Sequence, residues 1–198
     1  MWAKCNIGAS QPYEYGFYYA WGEIATKESY ATDWSNYKFG SKDNFTKYTG
    51  SDGKSTLDPA DDVAYMTYGA NYSIPTTEDW QELKDNCYWE WTTDYSGKAG
   101  YIVYKNKGSD AGTVVLAQGT PNANYSTDSD PHIFLPAAGY YDGTYLGSKD
   151  ERVHCWSSSL RTDTPSSAYF LNFGATTVFA QDKGGRERGR SVRAVRHK

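Results

Sequence analysis

The chain has 198 residues, with 20 basic and 24 acidic side chains, which gives a formal net charge of −4. This length predicts one domain, or at most two small ones. Leu, Ile, Val and Phe together make up only about 14% of the chain, a composition that alone is typical of disorder. The charge is modest, however, and 7 Trp and 19 Tyr offer large apolar areas with one polar group each. We therefore expect a core built from aromatic side chains with hydrogen-bonded rims.

The distribution of apolar and basic residues predicts neither a membrane-spanning segment nor an N-terminal leader. The sequence contains no run of about 18 apolar residues, which excludes a spanning helix. It also has no basic-then-apolar leader at the N-terminus. The chain opens at Met1 as if inside a strand, which predicts a piece of a longer protein.

A first helix is predicted after residue 57. Asp58 offers an N-cap, Pro59 the first helical position, and Asp61 and Asp62 an acidic first turn. The helix is expected to end near residues 68–69.

A second helix is predicted after Pro75. Thr76 and Asp79 have the spacing of a capping box, and Trp80, Leu83 and later residues recur at helical spacing. Short strands between turn residues are predicted for the remainder, at 17–21, 100–104, 113–117, 133–136, 168–173, 177–181 and 191–195. Residues 40–56 and 119–131 are expected to be polar loops, so the fold class is α+β in one domain.

Basic side chains are concentrated at the C-terminus. Residues 183–198 hold seven Lys and Arg against Glu187 alone, a net charge of +6 that leaves −10 for the rest. A basic tail can indicate nucleic-acid binding. Here the arginines are spaced through an apparent strand, so we expect no nucleic-acid partner and arginines that are solvated or paired.

The three cysteines, Cys5, Cys87 and Cys155, show no Cys-x-x-Cys spacing. This excludes a structural zinc or a thioredoxin-like motif of that type. Cys5 and Cys87 either pair in an exported protein or remain two buried free thiols, and the sequence leaves both alternatives open.

Catalytic and metal-binding patterns are weak. His154 is close to three consecutive serines, but the Gly-x-Ser-x-Gly elbow of serine hydrolases is missing. Asp128, Asp130 and His132 lack the central Gly and final Glu of a calcium loop, so a polar turn is expected there. No phosphate-cradling loop or dinucleotide fingerprint occurs. We expect no catalytic residue, no metal and no cofactor.

Alternation along residues 168–173 separates two strand faces. A period of two places Tyr169, Leu171 and Phe173 on one face and Phe170 on the other. Phe179 likewise stands on the polar side of its strand. One alternative is a sheet buried on both sides. The other is that Phe170 and Phe179 are exposed, near each other, and act as contact anchors.

Seven segments in a fixed order resemble one family, over nearly the whole chain. They are WAKCNIGA at 2–9, YAWGE at 19–23, LDPADD at 57–62, PTTEDWQEL at 75–83, FLPAAGY at 134–140, WSSS at 156–159 and GRSVRAV at 189–195. Together they resemble the Fibrobacter succinogenes major paralogous domain of gut Bacteroidales and their phages. The resemblance implies one C-type lectin-like domain over residues 1–198, of the formylglycine-generating-enzyme type. Such a fold has two helices and short, mostly antiparallel strands, and its terminal strands, around 3–7 and 191–195, should lie close together.

The resemblance also implies a variable region. Some members of the family are variable proteins of diversity-generating retroelements, whose C-terminal portion is rewritten at template adenines, chiefly in Asn codons. Residues 154–190 look like such a region, because family-like residues alternate with Arg, Thr, Ser, Phe, Gly and Asp. Changes at the first two bases of AAC yield those residue types. Phe170 and Phe179 occupy positions where relatives often carry Asn.

The predicted function is therefore ligand binding and receptor recognition by a diversified surface, without enzymatic activity. The residues expected to contact ligand are His154, Arg161, Thr164, Ser166, Ser167, Phe170, Thr176, Phe179, Asp182 and Arg188. The Glu-Pro-Asn and Trp-Asn-Asp motifs of calcium-dependent lectins are absent, so no metal-bridged glycan is expected. The expected partner is a protein or glycan on a host or neighbouring cell. The expected location is a virion surface or the cell exterior, without direct membrane insertion.

Two other classes remain open. One is an undiversified surface lipoprotein module that binds polysaccharide through its many Tyr and Trp. The other is an enzyme of the formylglycine-generating type, which needs an active cysteine pair that the three cysteines do not obviously supply.

Overall fold

A computed structural model describes residues 1–197 and shows a mixed α+β chain that is rich in strands, as predicted. Lys198, the last basic residue of the tail, lies outside this range. The described residues contain two α-helices, α1 (Val63–Tyr68) and α2 (Thr77–Asn86). The strands in chain order are β1 (Tyr18–Tyr19), β2 (Gly40–Ser41), β3 (Asn44–Phe45), β4 (Tyr72–Ser73), β5 (Cys87–Thr92), β6 (Gly100–Lys105), β7 (Val114–Val115), β8 (His132–Pro136), β9 (Tyr140–Asp142), β10 (Tyr145–Gly147), β11 (Arg152–Leu160), β12 (Ser167–Gly174), β13 (Val178–Gly185), β14 (Gly189–Ser191) and β15 (Val195–Arg196).

The start of α2 agrees with its prediction, whereas the start of α1 does not. At α2 the capping box is confirmed, because the Thr76 hydroxyl accepts from the Asp79 amide at 3.1 Å and the Asp79 carboxylate accepts from the Thr76 amide at 2.8 Å. At α1 the N-cap is Asp62 and not Asp58. Pro59 starts only a short 3₁₀ turn, and the helix begins anew after it. No helix within residues 1–197 has the length and apolarity needed to cross a bilayer.

Two sheets form the frame of the molecule. The larger has seven strands in the order β10-β9-β14-β11-β12-β13, with β1 also paired to β14, and the smaller has the order β7-β5-β6-β8. Pairing is antiparallel except between β11 and β14 and between β5 and β7. The three longest neighbours of the large sheet, β11, β12 and β13, contain most of residues 154–190.

Several strand boundaries depart from the sequence predictions. Strands β5 and β11 were not predicted, and a short hairpin, β2–β3, lies inside the expected loop at 40–56. The predicted strand at 191–195 is divided between β14 and β15. Its middle part bonds instead to the N-terminal segment.

The two ends of the described chain lie side by side, as predicted. The Ala3 amide donates to the Ala194 carbonyl and the Ile7 amide to the Val192 carbonyl, both at 2.9 Å. Trp2 and Val195 form an isolated antiparallel bridge. These bonds close the fold between segments that are far apart in sequence.

Aromatic residues dominate the core, which confirms the expectation from composition. The buried indole N–H of Trp21 donates to the Ser157 carbonyl at 2.9 Å, and that of Trp156 donates to the Tyr19 carbonyl at 2.7 Å. Each ring therefore buries a large apolar area while its polar atom remains bonded.

The large sheet is buried on both sides at β12, so the prediction that Phe170 is exposed is wrong. Leu171 is fully buried on one face, and Phe170, only 4% exposed, is buried on the other. Phe170 packs edge-on against Trp156 and belongs to the same core cluster as Tyr19. Alternation identifies which residues share a face, but segments from the N-terminal half cover this face in the folded chain.

A bulge in β13 brings two of its residues onto one face. Phe170 pairs with Asp182, whereas Asn172 pairs with Phe179, so β13 has one extra residue between the two pairs. Phe179 is 53% exposed, as predicted. Tyr169 is half-buried rather than buried.

Three arginines of the basic tail are buried, which corrects the expectation that they are solvated or paired with acids. Arg186, Arg190 and Arg193 are each at most 2% exposed. Arg186 donates to the Pro165 carbonyl at 2.8 Å and lies 4.4 Å from the ring centroid of Phe45. Backbone carbonyls and aromatic rings thus take the place of carboxylates, because the planar guanidinium offers five donors and stacks on rings.

Candidate functional site

The C-terminal strands place polar side chains on one face of the large sheet. Directly opposed residues share a face, and the register pairs Arg190 with Tyr140 and His154 with Asn172. Residues two apart along a strand join them on that face. We call this surface the open sheet face, and its members are Tyr140, Asp142, Arg152, His154, Asn172, Phe179, Asp182 and Arg188.

Hydrogen bonds connect the centre of the open sheet face. Arg152 Nη1 and His154 Nε2 lie 3.2 and 2.9 Å from Asn172 Oδ1, and Asn172 Nδ2 donates to Asp182 Oδ2 at 2.7 Å. Since Asn172 Oδ1 is the acceptor, His154 has its proton on Nε2 and a free lone pair on Nδ1. Burial, assisted by the charge of Arg190, lowers the pKa of His154 to about 3, so the ring is neutral at physiological pH.

Arg190 lies on the same side of the sheet but is buried among aromatic rings. Its guanidinium carbon lies 3.9 Å from the ring centroid of Phe170, 4.2 Å from Trp156 and 5.4 Å from Tyr140. Burial lowers the pKa of Arg190 to about 9, which still leaves it cationic at neutral pH. Burial also raises the pKa of Glu187.

Unsatisfied polar atoms are concentrated around this surface. Among residues 1–197, five buried side-chain atoms have no hydrogen-bond partner: Asp142 Oδ1, His154 Nδ1, Glu187 Oε2, Arg188 Nε and Arg190 Nε. Each such atom costs roughly 1–3 kcal/mol, and native proteins contain few of them. Asp142, His154 and Arg188 belong to the open sheet face, Arg190 lies on the same side of the sheet, and Glu187 lies next to Arg188. This concentration makes the open sheet face the candidate binding surface of the described residues.

Five of the ten predicted contact residues belong to this region, namely His154, Phe170, Phe179, Asp182 and Arg188. Phe179 is exposed, and Asp182 and Arg188 are half-buried. The prediction of surface contact is wrong for His154 and Phe170, which are each 4% exposed. His154 packs between the rings of Tyr140 and Phe170, with centroids 5.1 and 5.2 Å away.

The other five predicted residues lie at the ends of the strands. Four lie in or next to the turn between β11 and β12, where all are half-buried: Arg161, Thr164, Ser166 and Ser167, the last being the first residue of β12. There Arg161 forms an ion pair with Asp163 at 2.8 Å. Thr176 is exposed in the β12–β13 turn, next to Thr177, whose hydroxyl accepts from Arg152 at 3.1 Å. Thr176 therefore borders the open sheet face, whereas the β11–β12 turn lies at the opposite end of the strands.

Sequence reasoning did not identify several members of the site, above all Tyr140, Asp142 and Arg152. A period of two would have grouped Arg152 with His154 and Tyr140 with Asp142. The register that joins β9, β14 and β11 is a property of the fold, so the pairs could not be combined from sequence.

Asp130, part of the candidate metal position at Asp128, Asp130 and His132, makes local contacts. Asp130 binds Lys107 at 2.6 Å and accepts from the Ser126 amide at 2.8 Å, as in a polar turn. No group of three His, Cys, Asp or Glu within residues 1–197 is arranged to hold a metal ion.

All three cysteines are free thiols, so the disulfide alternative for Cys5 and Cys87 does not apply to this structure. Both are half-buried rather than buried. Cys155 is fully buried, and burial raises its pKa to about 12, which keeps it a protonated thiol.

Comparisons of the chain with family models, with curated proteins and with solved structures find no match. The open sheet face and the sequence motifs are therefore the basis of the functional proposal.

Proposed function

We propose that the chain is a ligand-binding domain that recognises its partner through the open sheet face. The observation that carries this proposal is the difference between the two faces of β11–β13. One face is packed into the core around Leu171 and Phe173, whereas the other is covered at Trp156 and Phe170 but presents partly exposed polar side chains around Asn172, with unfilled hydrogen-bonding atoms nearby. Side chains held on a rigid sheet bind with little loss of conformational entropy.

We further propose that the scaffold is the C-type lectin-like fold of the Fibrobacter succinogenes major paralogous domain type. The contacts among the seven quoted segments support this proposal. Arg193, in the last segment, donates to the carbonyls of Ala3 and Lys4 in the first and of Phe134 in the fifth. The indoles of Trp21 and Trp80, in the second and fourth, donate to backbone carbonyls of the WSSS segment. A series of motifs that bind one another is what a shared scaffold requires.

Residues 154–190 are proposed to form the variable region of this scaffold, in the manner of a retroelement-diversified protein. Family-like Trp156 and Leu171 are buried, and their replacement would leave cavities. Eight predicted contact residues are at least partly exposed and tolerate change: Arg161, Thr164, Ser166, Ser167, Thr176, Phe179, Asp182 and Arg188. His154 and Phe170 lie on the same side of the sheet but are buried, so they are not proposed as ligand contacts.

The proposal is of a binding protein rather than an enzyme. Formylglycine-generating chemistry needs a reactive cysteine pair, and Cys155 points into the core beside Leu171 with a raised pKa. The proposed partner is a protein or glycan on a host or neighbouring cell, met at a virion surface or cell exterior. The proposal includes neither a nucleic-acid partner nor direct membrane insertion, and the burial of three tail arginines reduces the basic surface that nucleic acid would need.

Sequencing of the locus tests the diversification. We expect a reverse-transcriptase gene and a near-copy of the 154–190 coding segment close to this gene. Deep sequencing of a population should show substitutions confined to adenine positions of that copy, at the eight exposed codons. A locus without the copy, or substitutions spread evenly through codons 1–198, would refute diversification.

Binding itself is tested separately with the purified domain on intact gut bacterial cells. The double variant Phe179→Ser/Asp182→Ala, which alters the open sheet face, should lose binding. The variant Ile24→Ser, which alters an exposed apolar residue elsewhere, should retain it. If the double variant binds the cells as strongly as Ile24→Ser does, recognition through this face is refuted.

A further inference from the structure

The hairpin formed by β9 and β10 carries two tyrosine rings at the border of the open sheet face. Tyr145 pairs with Asp142 and Gly147 with Tyr140, so the side chains of these residues share one face. A Cβ atom at Gly147 would lie 3.2 Å from the Tyr145 ring and 3.5 Å from the Tyr140 ring. The missing side chain therefore lets both rings lie over this position. Tyr145 is 72% exposed, so its ring is accessible to a ligand.

A pair of charged groups lies directly beside these rings. Arg188 Nη2 donates to Asp142 Oδ2 at 3.0 Å, and the guanidinium carbon lies 5.4 Å from the Tyr140 ring centroid. The remaining carboxylate oxygen, Asp142 Oδ1, and the Arg188 Nε atom make no hydrogen bond, although Arg188 Nε lies 3.8 Å from Glu187 Oε1. Both side chains are about one third exposed, at 29% and 34%, so part of each is accessible to a ligand.

Buried groups next to this pair offer further hydrogen-bond donors and acceptors. His154, Glu187 and Arg190 are each more than nine-tenths buried, and each has one unpartnered atom. His154 Nδ1 and Glu187 Oε2 accept hydrogen bonds, whereas Arg190 Nε donates one.

The charges, donors and acceptors of these residues favour some ligand classes over others. A cation would meet the positive charges of Arg188 and Arg190, and a sulfate or phosphate would meet Asp142 and an excess of acceptor atoms. A hydroxyl group fits an adjacent donor and acceptor, because it donates one bond and accepts others. A sugar ring presents several hydroxyls at its rim and an apolar C–H face that packs on an aromatic ring.

We propose that the hairpin residues Tyr140, Asp142 and Tyr145, together with Arg188, bind a neutral saccharide ring without a metal ion. The apolar face of the sugar packs on the tyrosine rings, one hydroxyl donates to Asp142, and a neighbouring hydroxyl accepts from Arg188. Three of these four residues precede residues 154–190. Tyr140, Asp142 and Tyr145 are thus a constant part of the saccharide contact, and Arg188 is a variable one. This inference deepens the proposed binding function, on which it rests, by naming a ligand class.

The test uses the purified domain on a printed array of neutral oligosaccharides in buffer with EDTA, followed by titration of the best binder. Tyr145→Ala should weaken binding by about tenfold or more, as for a central aromatic anchor. Asp142→Asn should weaken it by about fivefold, the loss of roughly one hydrogen bond. Tyr68→Ala is the matched control, because Tyr68 is a 45% exposed tyrosine on α1, outside the large sheet. Thermal melts of the variants verify that each is folded.

Several results would overturn the inference. They are the absence of any neutral binder, binding of sulfated glycans alone, loss of binding in EDTA, or full affinity in Tyr145→Ala. Phe179→Ser separates this inference from the proposed function. If Phe179→Ser abolishes cell binding while Tyr145→Ala does not alter saccharide binding, the open sheet face still binds a ligand but the hairpin does not.

Discussion

The contrast between Phe170 and Phe179 gives a direct test of how the sheet is buried. Both rings belong to neighbouring strands, β12 and β13, and the same substitution to Ser can be made at each. Phe170 is 4% exposed, and the centroid of its ring lies 3.9 Å from the Arg190 guanidinium carbon. Phe179 is 53% exposed. The two variants therefore differ in burial and not in chemistry.

The size of the expected effect follows from what each ring contacts. Truncation of a buried Phe typically costs about 3–5 kcal/mol, and Phe170→Ser also removes the ring on which Arg190 rests. For a domain of this size each kcal/mol shifts the melting temperature by about 2–4 °C, so Phe170→Ser should lower it by roughly 6–20 °C. Phe179→Ser should change stability by about 0.5 kcal/mol or less, because an exposed ring leaves no cavity.

Differential scanning fluorimetry or calorimetry tests this difference in burial. The two variants are compared with Leu171→Ala as a second core reference. Phe170→Ser should melt close to Leu171→Ala, and Phe179→Ser close to the unsubstituted domain. If Phe170→Ser melted with Phe179→Ser instead, the N-terminal segments would not cover that face of β12. The assignment of Phe170 to the core, and of Phe179 alone to the recognition surface, would then be refuted.

Three further expectations concern charge and metal ions. Arg186→Lys should destabilise the domain by at least about 2 kcal/mol in urea titrations, because an ammonium group does not reach Tyr37, Tyr48 and Pro165 together; a smaller loss would show that these bonds contribute little. The pKa of His154 is about 3 in the folded chain against an ordinary 6.5, so the unfolded chain binds a proton that the folded one does not. Stability should therefore fall as the pH drops from 6.5 towards 3, by up to about 1.4 kcal/mol per pH unit, and His154→Gln should flatten this slope between pH 7 and 5; identical slopes would contradict the neutral buried ring. EDTA should leave the melting temperature within about 1 °C of its value in plain buffer, and a fall of many degrees would indicate a structural ion near Asp128 and Asp130.

Local signals in the sequence were sufficient where the interaction spans a few residues. The capping box of Thr76 and Asp79 formed as predicted, because both partners lie within one helical turn. The first helix shows the limit of such reasoning. Asp58 and Asp62 are both plausible caps by residue type, and the choice of Asp62 is reinforced by its bond to the Ile74 amide at 2.8 Å, twelve residues away.

The sequence by itself determined the class of the fold, the aromatic character of the core and the alternation of side chains along β12. Only the tertiary structure decided which alternating face is covered. Phe170 and Asn172 occupy the same face of one strand, yet Phe170 is buried and Asn172 is half-buried at the open end of the sheet. Periodicity reports the direction of a side chain relative to its own strand. Burial depends on which distant segment packs against that direction.

The same reason explains the arginines and the site itself. Arg186, Arg190 and Arg193 read as surface charges in sequence, but each finds carbonyl oxygens or aromatic rings supplied by other segments. The open sheet face likewise combines β9, β11, β12, β13 and the residue before β14, whose register no single segment encodes. Its unpartnered atoms arise because strand pairing sets their positions, and the free energy of the whole fold maintains them despite their individual cost.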